Sequence, residues 1–413
     1  MGGMPGPLLP GQPVPADGLL PAPALESFGA RPFGIYLHVP FCVTRCGYCD
    51  FNTYTATQLG TDPGATPDTW ADAALAELDL ARRVLGRAVP VTSVFVGGGT
   101  PSLLDPHDLG RVLDGVAERF GLEPGAEVTS EANPESATAR WLVGARSAGV
   151  TRVSLGMQSA SPHVLAVLDR VHTPGRVAAA VADARAAGLD NLSLDLIYGT
   201  PGESAADWEA TLEVALALEP DHVSAYALIV EPGTRLAARV DRGEVAAPDE
   251  DLMAAMYEAA DDRLGSAGLA WYELSSWARD QGARCRHNQL YWTDADWWGI
   301  GPGAHSHVRG VRWWNVKHPA TWARRLAAGA SPAAEREVLD EPSRRLERIM
   351  LGLRTRAGAD RADIEAALGE RATGELAALR AQGLVAPADA SSGRVRLTRS
   401  GRLLATAVTL RLT

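Results

Sequence analysis

The fold is decided by the stretch GIYLHVPFCVTRCGYC, residues 34–49 of the 413-residue sequence. Its first six residues are mostly apolar or aromatic, and they predict a strand over Gly34–Val39. Cys42, Cys46 and Cys49 follow directly on this strand. The stretch therefore predicts a strand that runs into a cysteine-rich loop.

The same alternation of a short apolar run and a longer Ala/Leu-rich run continues from this stretch to about residue 232. The further predicted strands are Val91–Val96, Glu127–Glu131, Arg152–Gly156, Asn191–Ile197 and His222–Ala227. The predicted helices are Asp68–Leu85, Asp105–Phe120, Ser136–Ala148, Pro174–Ala187 and Ala205–Leu218. Such alternation is typical of parallel sheets with right-handed crossovers. The prediction is an α/β fold, a partial (β/α)6 parallel barrel with its working residues at the C-terminal strand ends.

Composition divides the chain into four predicted segments. Residues 1–32 are rich in Pro, Gly and Ala and predict a flexible tail, and residues 33–235 form the core barrel. Residues 236–335 form an extension rich in Trp, Tyr, His and Gly. Residues 336–413 predict a small α+β module that resembles a winged helix. Its predicted elements are helices Ser343–Leu353, Asp360–Leu368 and Gly374–Gln382 and strands Leu384–Ala386 and Val395–Thr398.

Charge and apolar patterning exclude several classes of protein. The formal net charge of −11 argues against a nucleic-acid partner, which needs a basic face. No run of eighteen apolar residues predicts a membrane-spanning helix, and the start of the chain lacks the pattern of a secretory signal. Four cysteines are too few for a disulfide scaffold. We expect a cytoplasmic protein with at most a peripheral contact to a membrane.

The three clustered cysteines allow three interpretations from the residues alone. Three thiolates on one short loop can hold three corners of a [4Fe–4S] cluster and leave one iron open for a small molecule. A zinc site with His38 as the fourth ligand is a second interpretation. A redox-active dithiol formed by Cys46 and Cys49 is the third.

The C-x₃-C-x₂-C spacing on a loop after the first strand resembles the signature of the radical SAM superfamily. The stretch Tyr36–Cys42 resembles the oxygen-independent coproporphyrinogen III oxidase branch of that superfamily. Further matches to the branch, in the same order, are Gly97–Pro101, Glu131–Pro134, Ser154–Ser159 and Asp195–Gly199. So many separate agreements favour the cluster over zinc or a dithiol, and they imply a radical SAM-type barrel.

The resemblance implies that the open iron is chelated by S-adenosylmethionine (SAM). It also implies a reductant, such as flavodoxin or ferredoxin, whose electron cleaves SAM to methionine and a 5′-deoxyadenosyl radical. The cluster ligands implied are Cys42, Cys46 and Cys49. The positions implied to lie against SAM or the cluster are Tyr36, Tyr48, Gly98, Gly99, Thr100, Glu131, Gln158, Arg170, Asp195 and Ala227.

A second motif lies in the aromatic-rich extension. His287 stands in the string Arg286–Trp292, among Tyr and Trp side chains that can line a flat apolar pocket. Imidazole is a common axial ligand of haem iron, and the His-Asn-x-x-Tyr-Trp string resembles that of the haem-chaperone members of this branch. His287 is therefore the expected haem ligand, whereas Cys285 is expected to be a buried structural cysteine.

Two departures from the oxidase pattern bear on function. The oxidase carries a further cysteine just after its third cluster ligand, where this chain has Asp50 and Phe51. The oxidase also has a longer folded N-terminal segment. The resemblance therefore favours a SAM- and cluster-binding haem chaperone that passes haem to a recipient apo-protein. The alternatives are an oxygen-independent coproporphyrinogen III oxidase and another radical SAM enzyme acting on a tetrapyrrole. Whether SAM is cleaved productively stays open.

Overall fold

The computed structural model describes residues 11–170, 173, 175–387 and 392–413. Its strands are β1 Gln12–Pro13, β2 Phe33–Val39, β3 Val91–Gly98, β4 Leu122–Ala132, β5 Arg152–Gln158, β6 Asn191–Tyr198, β7 His222–Ala227, β8 Ala270–Glu273, β9 Ser276–Ala278, β10 Asp296–Ile300, β11 His305–Val308, β12 Val311–Asn315, β13 Ala333–Val338, β14 Ala359–Asp360 and β15 Arg394–Val395. Its helices are α1 Ala22–Ser27, α2 Pro67–Leu85, α3 Pro106–Phe120, α4 Ala139–Ser147, α5 Pro162–Val167, α6 Arg176–Ala186, α7 Ala205–Ala217, α8 Arg235–Asp241, α9 Glu250–Ser266, α10 Arg286–Trp292, α11 Pro319–Ala327, α12 Glu341–Leu353, α13 Arg361–Leu368, α14 Arg371–Ala381, α15 Arg399–Leu403 and α16 Ala405–Leu412.

One large mixed sheet organises the described part of the chain. Its strand order is β1-β13-β12-β11-β10-β2-β3-β4-β5-β6-β7-β9-β8. Strands β2 to β7 are parallel neighbours in sequence order, as predicted, and the α/β fold class is confirmed. The structure adds β10 as a further parallel strand beside β2. We did not predict β10 because its Trp- and Gly-rich sequence lacks a clear period of two.

The two faces of the parallel strands have different partners. Along β2, the side chains of Phe33, Ile35 and Leu37 belong to the large apolar core shared with the helices. The alternate positions, Tyr36 and His38, belong to the opposite, inner face of the curved sheet, because successive side chains of a strand alternate. The same alternation on every strand gives the barrel a polar inner face, which carries the site described below.

The segment predicted to be flexible is folded where the structure describes it. Strand β1 pairs with β13, and helix α1 follows. Leu20, Ala24 and Phe28 are buried in the large core, and the rings of Phe28 and Phe33 lie 5.0 Å apart. The prediction of a flexible tail is wrong for residues 11–32, because a few isolated apolar side chains fix a segment that has no periodicity. Residues 1–10 lie outside the described residues.

The C-terminal part has a small core of its own. Helices α12, α13, α14 and α16 bury their apolar faces against each other and against β14 and β15. The predicted three helices are present within a few residues of their expected bounds. Val385 and Leu397 form only an isolated bridge instead of the predicted pair of strands, and helices α15 and α16 were not predicted. The expected boundary at residue 336 falls inside β13, which belongs to the large sheet.

The predicted first residue of α6, Pro174, lies outside the described residues, and the observed helix begins at Arg176. None of the helices in the described ranges is both long and apolar enough to cross a bilayer.

Candidate functional site

The cysteine loop lies at the C-terminal end of β2, where the barrel rule places working residues. The three thiols are partly exposed, and none forms a disulfide. Each has a polar neighbour that could orient it. The Thr100 hydroxyl donates to the Cys42 Sγ over 3.7 Å, the Thr53 hydroxyl lies 4.0 Å from the Cys49 Sγ, and the Arg170 Nη1 lies 3.5 Å from the Cys46 Sγ.

The turn after β3 requires glycine because the cysteine loop packs against it. Gly98 has a φ of +110°, and a Cβ there would lie 2.6 Å from the His38 ring. A Cβ on Gly99 would lie 2.5 Å from the Phe41 oxygen and 3.0 Å from the Cys42 Sγ. The Thr100 amide also donates to the Phe41 oxygen, over 2.8 Å. Backbone contacts therefore fix the position of Cys42 against the turn.

The cysteine loop is also held from its other side. The Gly47 amide donates to the Leu168 oxygen over 3.1 Å, and the Gly47 oxygen accepts from the Leu236 amide over 2.8 Å. The Arg45 guanidinium donates to the oxygens of Cys49 and Phe51, both at 3.2 Å. A cleft of about 520 Å³ opens beside Cys46 and Cys49 and exposes them to solvent.

Two half-buried carboxylates lie on the inner face near the ends of β4 and β6. Glu131 accepts from the Gly98 amide over 3.2 Å, and Asp195 accepts from the Ser154 hydroxyl at 3.0 and 2.9 Å. Burial, followed by the charge of Asp195, raises the pKa of Glu131 to about 8. Burial also raises the pKa of Asp195. A positively charged ligand would therefore stabilise the ionised form of both carboxyl groups.

Arg170 brings a buried positive charge to the same end of the barrel. Its Nη2 donates to the Gly156 oxygen over 3.1 Å, and its Nε has no hydrogen-bond partner among the described residues. Gln158 ends β5 with a φ of 64°, which turns the chain toward Arg170. A Cβ on Gly156 would lie 2.8 Å from both the Arg170 Nη2 and the Gln158 Nε2. The glycine therefore makes room for these two polar side chains.

Three further predicted residues border this site. The Tyr36 hydroxyl lies 3.0 Å from the His38 Nδ1, and the Tyr36 ring stacks on Phe95. Tyr48 packs on a small apolar cluster that includes Leu236, and burial raises its pKa. Ala227 ends β7 beside Tyr198 on β6. All ten positions expected near SAM therefore lie at or beside the inner face and the C-terminal strand ends.

The zinc alternative does not match this geometry. The imidazole of His38 is buried, with its Nδ1 at Tyr36 and its Nε2 2.9 Å from the Asn52 oxygen. In the described ranges, no three His, Cys, Asp or Glu side chains converge closely enough to hold one metal ion. Thiols that serve a [4Fe–4S] cluster need not converge in this way, because each ligates a different iron.

The residues present fit a cluster with a bound sulfonium amino acid. Three free thiols face solvent on one loop, whereas the buried Arg170 Nε and the two half-buried carboxylates each lack an opposite charge in hydrogen-bond contact. Unpaired buried polar groups are costly unless a ligand satisfies them. A carboxylate of the ligand suits Arg170, and its positive charge suits Glu131 and Asp195.

His287 lies toward the N-terminal end of the barrel, where its ring packs against Phe95 and Tyr36, with centroids 5.5 and 6.3 Å away. It belongs to the first turn of α10, which packs against the first residues of β2 and β3, and it is 1% exposed. The two ring nitrogens lie 3.0 Å from the Ser93 Oγ and 3.0 Å from the Tyr291 hydroxyl. Burial lowers the pKa of His287 to about 3. Neither ring nitrogen is free in this arrangement, so haem ligation by His287 stays a prediction that requires these two hydrogen bonds to break.

Cys285 is buried at the same end, as expected for a structural cysteine. Its Sγ lies 3.6 Å from Glu127, whose carboxylate also accepts from the amides of Arg286 and His287 over 2.8 and 3.2 Å. Glu127 therefore holds the first turn of α10 in place. Burial, followed by the charge of Glu127, raises the pKa of Cys285, so its thiol stays protonated.

Sequence reasoning missed Arg152 and Ser154 on the inner face. Arg152 is 2% exposed, and its charge lowers the pKa values of both Glu131 and Asp195. A charged residue at the start of an otherwise apolar strand was the signal that could have found it. Its period-two partners, Ser154 and Gly156, share the inner face with the site.

Comparison with known proteins agrees with this geometry. Residues 36–215 match the model of the radical SAM superfamily, and residues 339–404 match that of the HemN C-terminal domain. The chain is 53% identical over 396 residues to the protein named heme chaperone HemW of Mycobacterium tuberculosis, which covers 96% of this chain and 97% of that one. The Escherichia coli protein of that name is 37% identical over 70% of this chain and 75% of its own.

Among solved structures, the chain resembles the coproporphyrinogen III oxidase HemN of Escherichia coli. The TM-score is 0.79 at 22% identity, covering 94% of this chain and 92% of that one. At this identity the likeness shows the fold alone. The near full-length identity to the mycobacterial protein shows more: this chain belongs to the HemW family of the radical SAM superfamily.

Proposed function

We propose that this protein binds a [4Fe–4S] cluster and SAM at the C-terminal end of the barrel, binds haem, and transfers it to an apo-protein. The observation that carries the proposal is the 53% identity, over nearly the whole of both chains, to a protein named heme chaperone. The free thiols and unpaired buried charges support the cofactor part of the proposal.

Each residue of the site has a role that its surroundings permit. Cys42, Cys46 and Cys49 hold the cluster, and the turn at Gly98, Gly99 and Thr100 fixes the loop. When bound, the cluster and SAM supply one-electron chemistry and a reactive carbon radical. The protein supplies charge and position. Arg170 binds a carboxylate, and Glu131 and Asp195 face positive charge in a site from which most water is excluded.

Delivery of an electron requires access to the cluster. The cleft beside Cys46 and Cys49 is also lined by Arg45 and Arg235, and Arg235 is exposed. Arg235 is paired with Asp169 over 3.3 Å. A small reductant, such as a flavodoxin or a ferredoxin, reaches the cluster through this cleft. The proposed compartment is the cytoplasm, where thiols stay reduced.

His287 remains a proposed haem ligand only with a conformational change. In the present arrangement its ring is enclosed by Ser93 and Tyr291, so α10 would have to separate from the barrel before haem iron could reach it. The competing function is radical decarboxylation of coproporphyrinogen III, against which the presence of Asp50 and Phe51 after the third cysteine argues.

One anaerobic experiment separates these functions. Protein reconstituted with iron and sulfide receives SAM and a low-potential reductant, together with either coproporphyrinogen III or haem plus an apo-haem protein. Unchanged coproporphyrinogen by mass spectrometry, together with haem uptake and transfer by absorbance, supports the chaperone. Loss of two carboxyl groups at a catalytic rate supports the oxidase. If cluster-loaded protein neither binds haem nor alters the porphyrinogen, both proposals fail.

A further inference from the structure

A buried carboxylate, that of Glu77, lies in the middle of α2, and the residue is 1% exposed. Its oxygens accept three hydrogen bonds, from the Gly301 amide over 2.8 Å, the Trp322 Nε1 over 2.7 Å and the Asn315 Nδ2 over 2.6 Å. Burial raises the pKa of Glu77 to about 7, and the three hydrogen bonds oppose this shift. Because an ionised carboxylate only accepts hydrogen bonds, it satisfies all three uncharged donors at once.

The three donors come from separate elements that meet beside the barrel. Gly301 directly follows β10, Asn315 ends β12, and Trp322 lies in α11. The Asn315 Nδ2 also donates to the Gly301 oxygen over 2.8 Å, so both polar backbone groups of Gly301 are held. Gly301 has a φ of +112°, which favours glycine. Glu77 therefore fixes the conformation of the turn of residues 301–303, the glycine turn.

The glycine turn packs against the end of β2 and against Asn52. A Cβ on Gly301 would lie 2.5 Å from the His38 oxygen, and a Cβ on Gly303 would lie 2.6 Å from the Asn52 Nδ2. The Asn52 Nδ2 donates to the Pro302 oxygen over 2.9 Å, and the Asn52 oxygen lies 2.9 Å from the His38 Nε2. The turn therefore supports the segment that follows the third cysteine.

From Asn52 the contacts continue to the first cysteine. The Tyr54 hydroxyl donates to the Asn52 Oδ1 over 3.1 Å. The Tyr54 amide donates to the Pro40 oxygen over 2.8 Å, and the Tyr54 oxygen accepts from the Cys42 amide over 2.9 Å. The cysteine loop therefore rests on the glycine turn through Asn52 and Tyr54.

A second residue of α2 supports the same part of the sheet. Trp70 lies about two turns before Glu77, on the same face of the helix. Its Nε1 donates to the His38 oxygen over 3.0 Å, and its ring belongs to the large apolar core. Core packing therefore makes α2 a fixed support from which Glu77 reaches the glycine turn.

We infer that Glu77 is a positioning residue for the cluster: it fixes the glycine turn and thereby orients Asn52 and the cysteine loop. The inference rests on the cluster and SAM binding proposed above, and it extends that proposal to a residue whose three hydrogen-bond partners lie outside the cysteine loop. A side chain without two accepting oxygens leaves at least one of three buried N–H groups unpaired. Because an unpaired buried donor is costly, the turn then rearranges.

Glu77→Gln tests the inference in the full chain after anaerobic reconstitution with iron and sulfide. The amide nitrogen of glutamine cannot accept a hydrogen bond, so one donor loses its acceptor. We expect the iron and sulfide content of the wild type but an altered electron paramagnetic resonance spectrum of the reduced cluster. Titration of that spectrum with SAM is expected to give an affinity about tenfold weaker, as for other residues that orient metal ligands indirectly.

Glu273→Gln is the matched control. Glu273 on β8 is 3% exposed, and burial raises its pKa to about 7. It accepts from the Asn288 Nδ2 over 3.1 Å and from the Ser275 amide over 3.5 Å. Both glutamine variants are expected to unfold at a lower urea concentration than the wild type, because each disturbs a buried carboxylate. Only Glu77→Gln is expected to change the cluster spectrum and the affinity for SAM.

Asn52→Ala tests the same path at its other end. Asn52 is half-buried, and its removal separates the cysteine loop from the glycine turn, so it is expected to change the spectrum as Glu77→Gln does. The double variant is expected to be no worse than the more affected single variant, because both changes act through one path. This variant also decides the question if Glu77→Gln does not fold.

The outcomes separate the inference from the function on which it rests. If the wild type holds no cluster, or its spectrum does not respond to SAM, the proposed cofactor binding fails. If the wild type responds and Glu77→Gln matches it, the function stands and the inference is overturned. Where Glu77→Gln does not fold, a wild-type spectrum and SAM affinity in Asn52→Ala overturn it. Equal spectral changes in Glu77→Gln and Glu273→Gln also overturn it, because a general loss of stability then explains both.

Discussion

The two ends of the barrel use the same kinds of side chains in opposite ways. At the C-terminal end, thiols are partly exposed, the Arg170 Nε has no partner among the described residues, and Glu131 and Asp195 are half-buried without a hydrogen-bonded cation. At the N-terminal end, the thiol of Cys285 and the imidazole of His287 are buried and hydrogen-bonded to neighbours that α10 brings against the sheet. A cysteine and a histidine at this closed end therefore stabilise the fold.

The residue types of a motif therefore do not by themselves identify a binding site. The His287 string has the composition of a haem pocket, but its polar atoms are already satisfied within the protein. The Cys42 loop has satisfied backbone groups and unsatisfied side chains, which is the arrangement that a ligand completes.

The sharpest contrast is between two cysteine-to-alanine changes. Cys46→Ala should abolish the bound cluster, measured as iron, sulfide and visible absorbance after anaerobic reconstitution, because it removes one of three ligands. Cys285→Ala is the matched control and should retain the cluster. Both variants should keep the far-ultraviolet circular dichroism of the wild type. Equal loss of iron in the two variants would contradict the assignment of the ligands.

Mutations at the closed, N-terminal end of the barrel should lower the stability of the protein. His287→Ala leaves a cavity and removes the partners of Ser93 and Tyr291, so the free energy of unfolding should fall by about 2–4 kcal/mol. Urea denaturation measures this loss, and cluster content after reconstitution should be unchanged. A free energy of unfolding equal to that of the wild type would show that the contacts of His287 in α10 do not stabilise the fold.

Mutations at the C-terminal end of the barrel, which carries the cysteine loop, should lower the affinity for SAM. Arg170→Leu removes the buried cation expected to meet the SAM carboxylate, and affinity for SAM should fall about 10- to 100-fold by equilibrium dialysis of cluster-loaded protein. Arg146→Leu, on the outer surface of the barrel in α4, is the control and should bind SAM as the wild type does. A similar loss of SAM affinity in both variants would show that the change in net charge, and not the position of Arg170, causes the effect.

The smallest predicted effect is a pH dependence. The pKa of Glu131 is raised to about 8 by burial and by Asp195, while Arg152 and the Gly98 amide oppose the shift. SAM carries a permanent sulfonium charge, so it binds best when Glu131 is ionised. Affinity should therefore rise as the pH increases through 8, by at most about tenfold from pH 7. Glu131→Gln should show a smaller rise, because only deprotonation of the SAM amino group, which must lose its proton to ligate iron, remains as a source. A rise of the same size in this variant would exclude Glu131 as a contributor.

Most of the barrel could be predicted from the sequence because its strands alternate with long helices. The predicted ends of β2 and β7 lie within one residue of the observed ends, and the cysteine loop, Glu131 and Asp195 lie at or beside the expected face. Strand β10 was missed because its aromatic residues face two different environments and show no simple period. Its pairing with β2 depends on contacts distant in sequence.

The enclosed surroundings of His287 escaped prediction for a similar reason. Ser93 and Glu127, which make its surroundings structural, lie far from it in the sequence, and neither has an unusual local pattern. Arg152 was missed for the opposite reason. Its strand was predicted correctly from the apolar residues, and the charged first residue was not examined as a buried group. The short strand β1 escaped prediction because two residues without periodicity carry no local signal.

The pairing of β10 with β2 has a consequence for biosynthesis. The cysteine loop follows β2 and leaves the ribosome early, whereas β10, Pro302 and Lys317, which hold β2 and Asn52 in place, are synthesised much later. During translation the three thiols therefore belong to a loop without its final supports. We expect the cluster to be inserted after the chain is complete, so oxygen or stray metal ions during synthesis would reduce the yield of cluster-loaded protein more than exposure of the folded protein would.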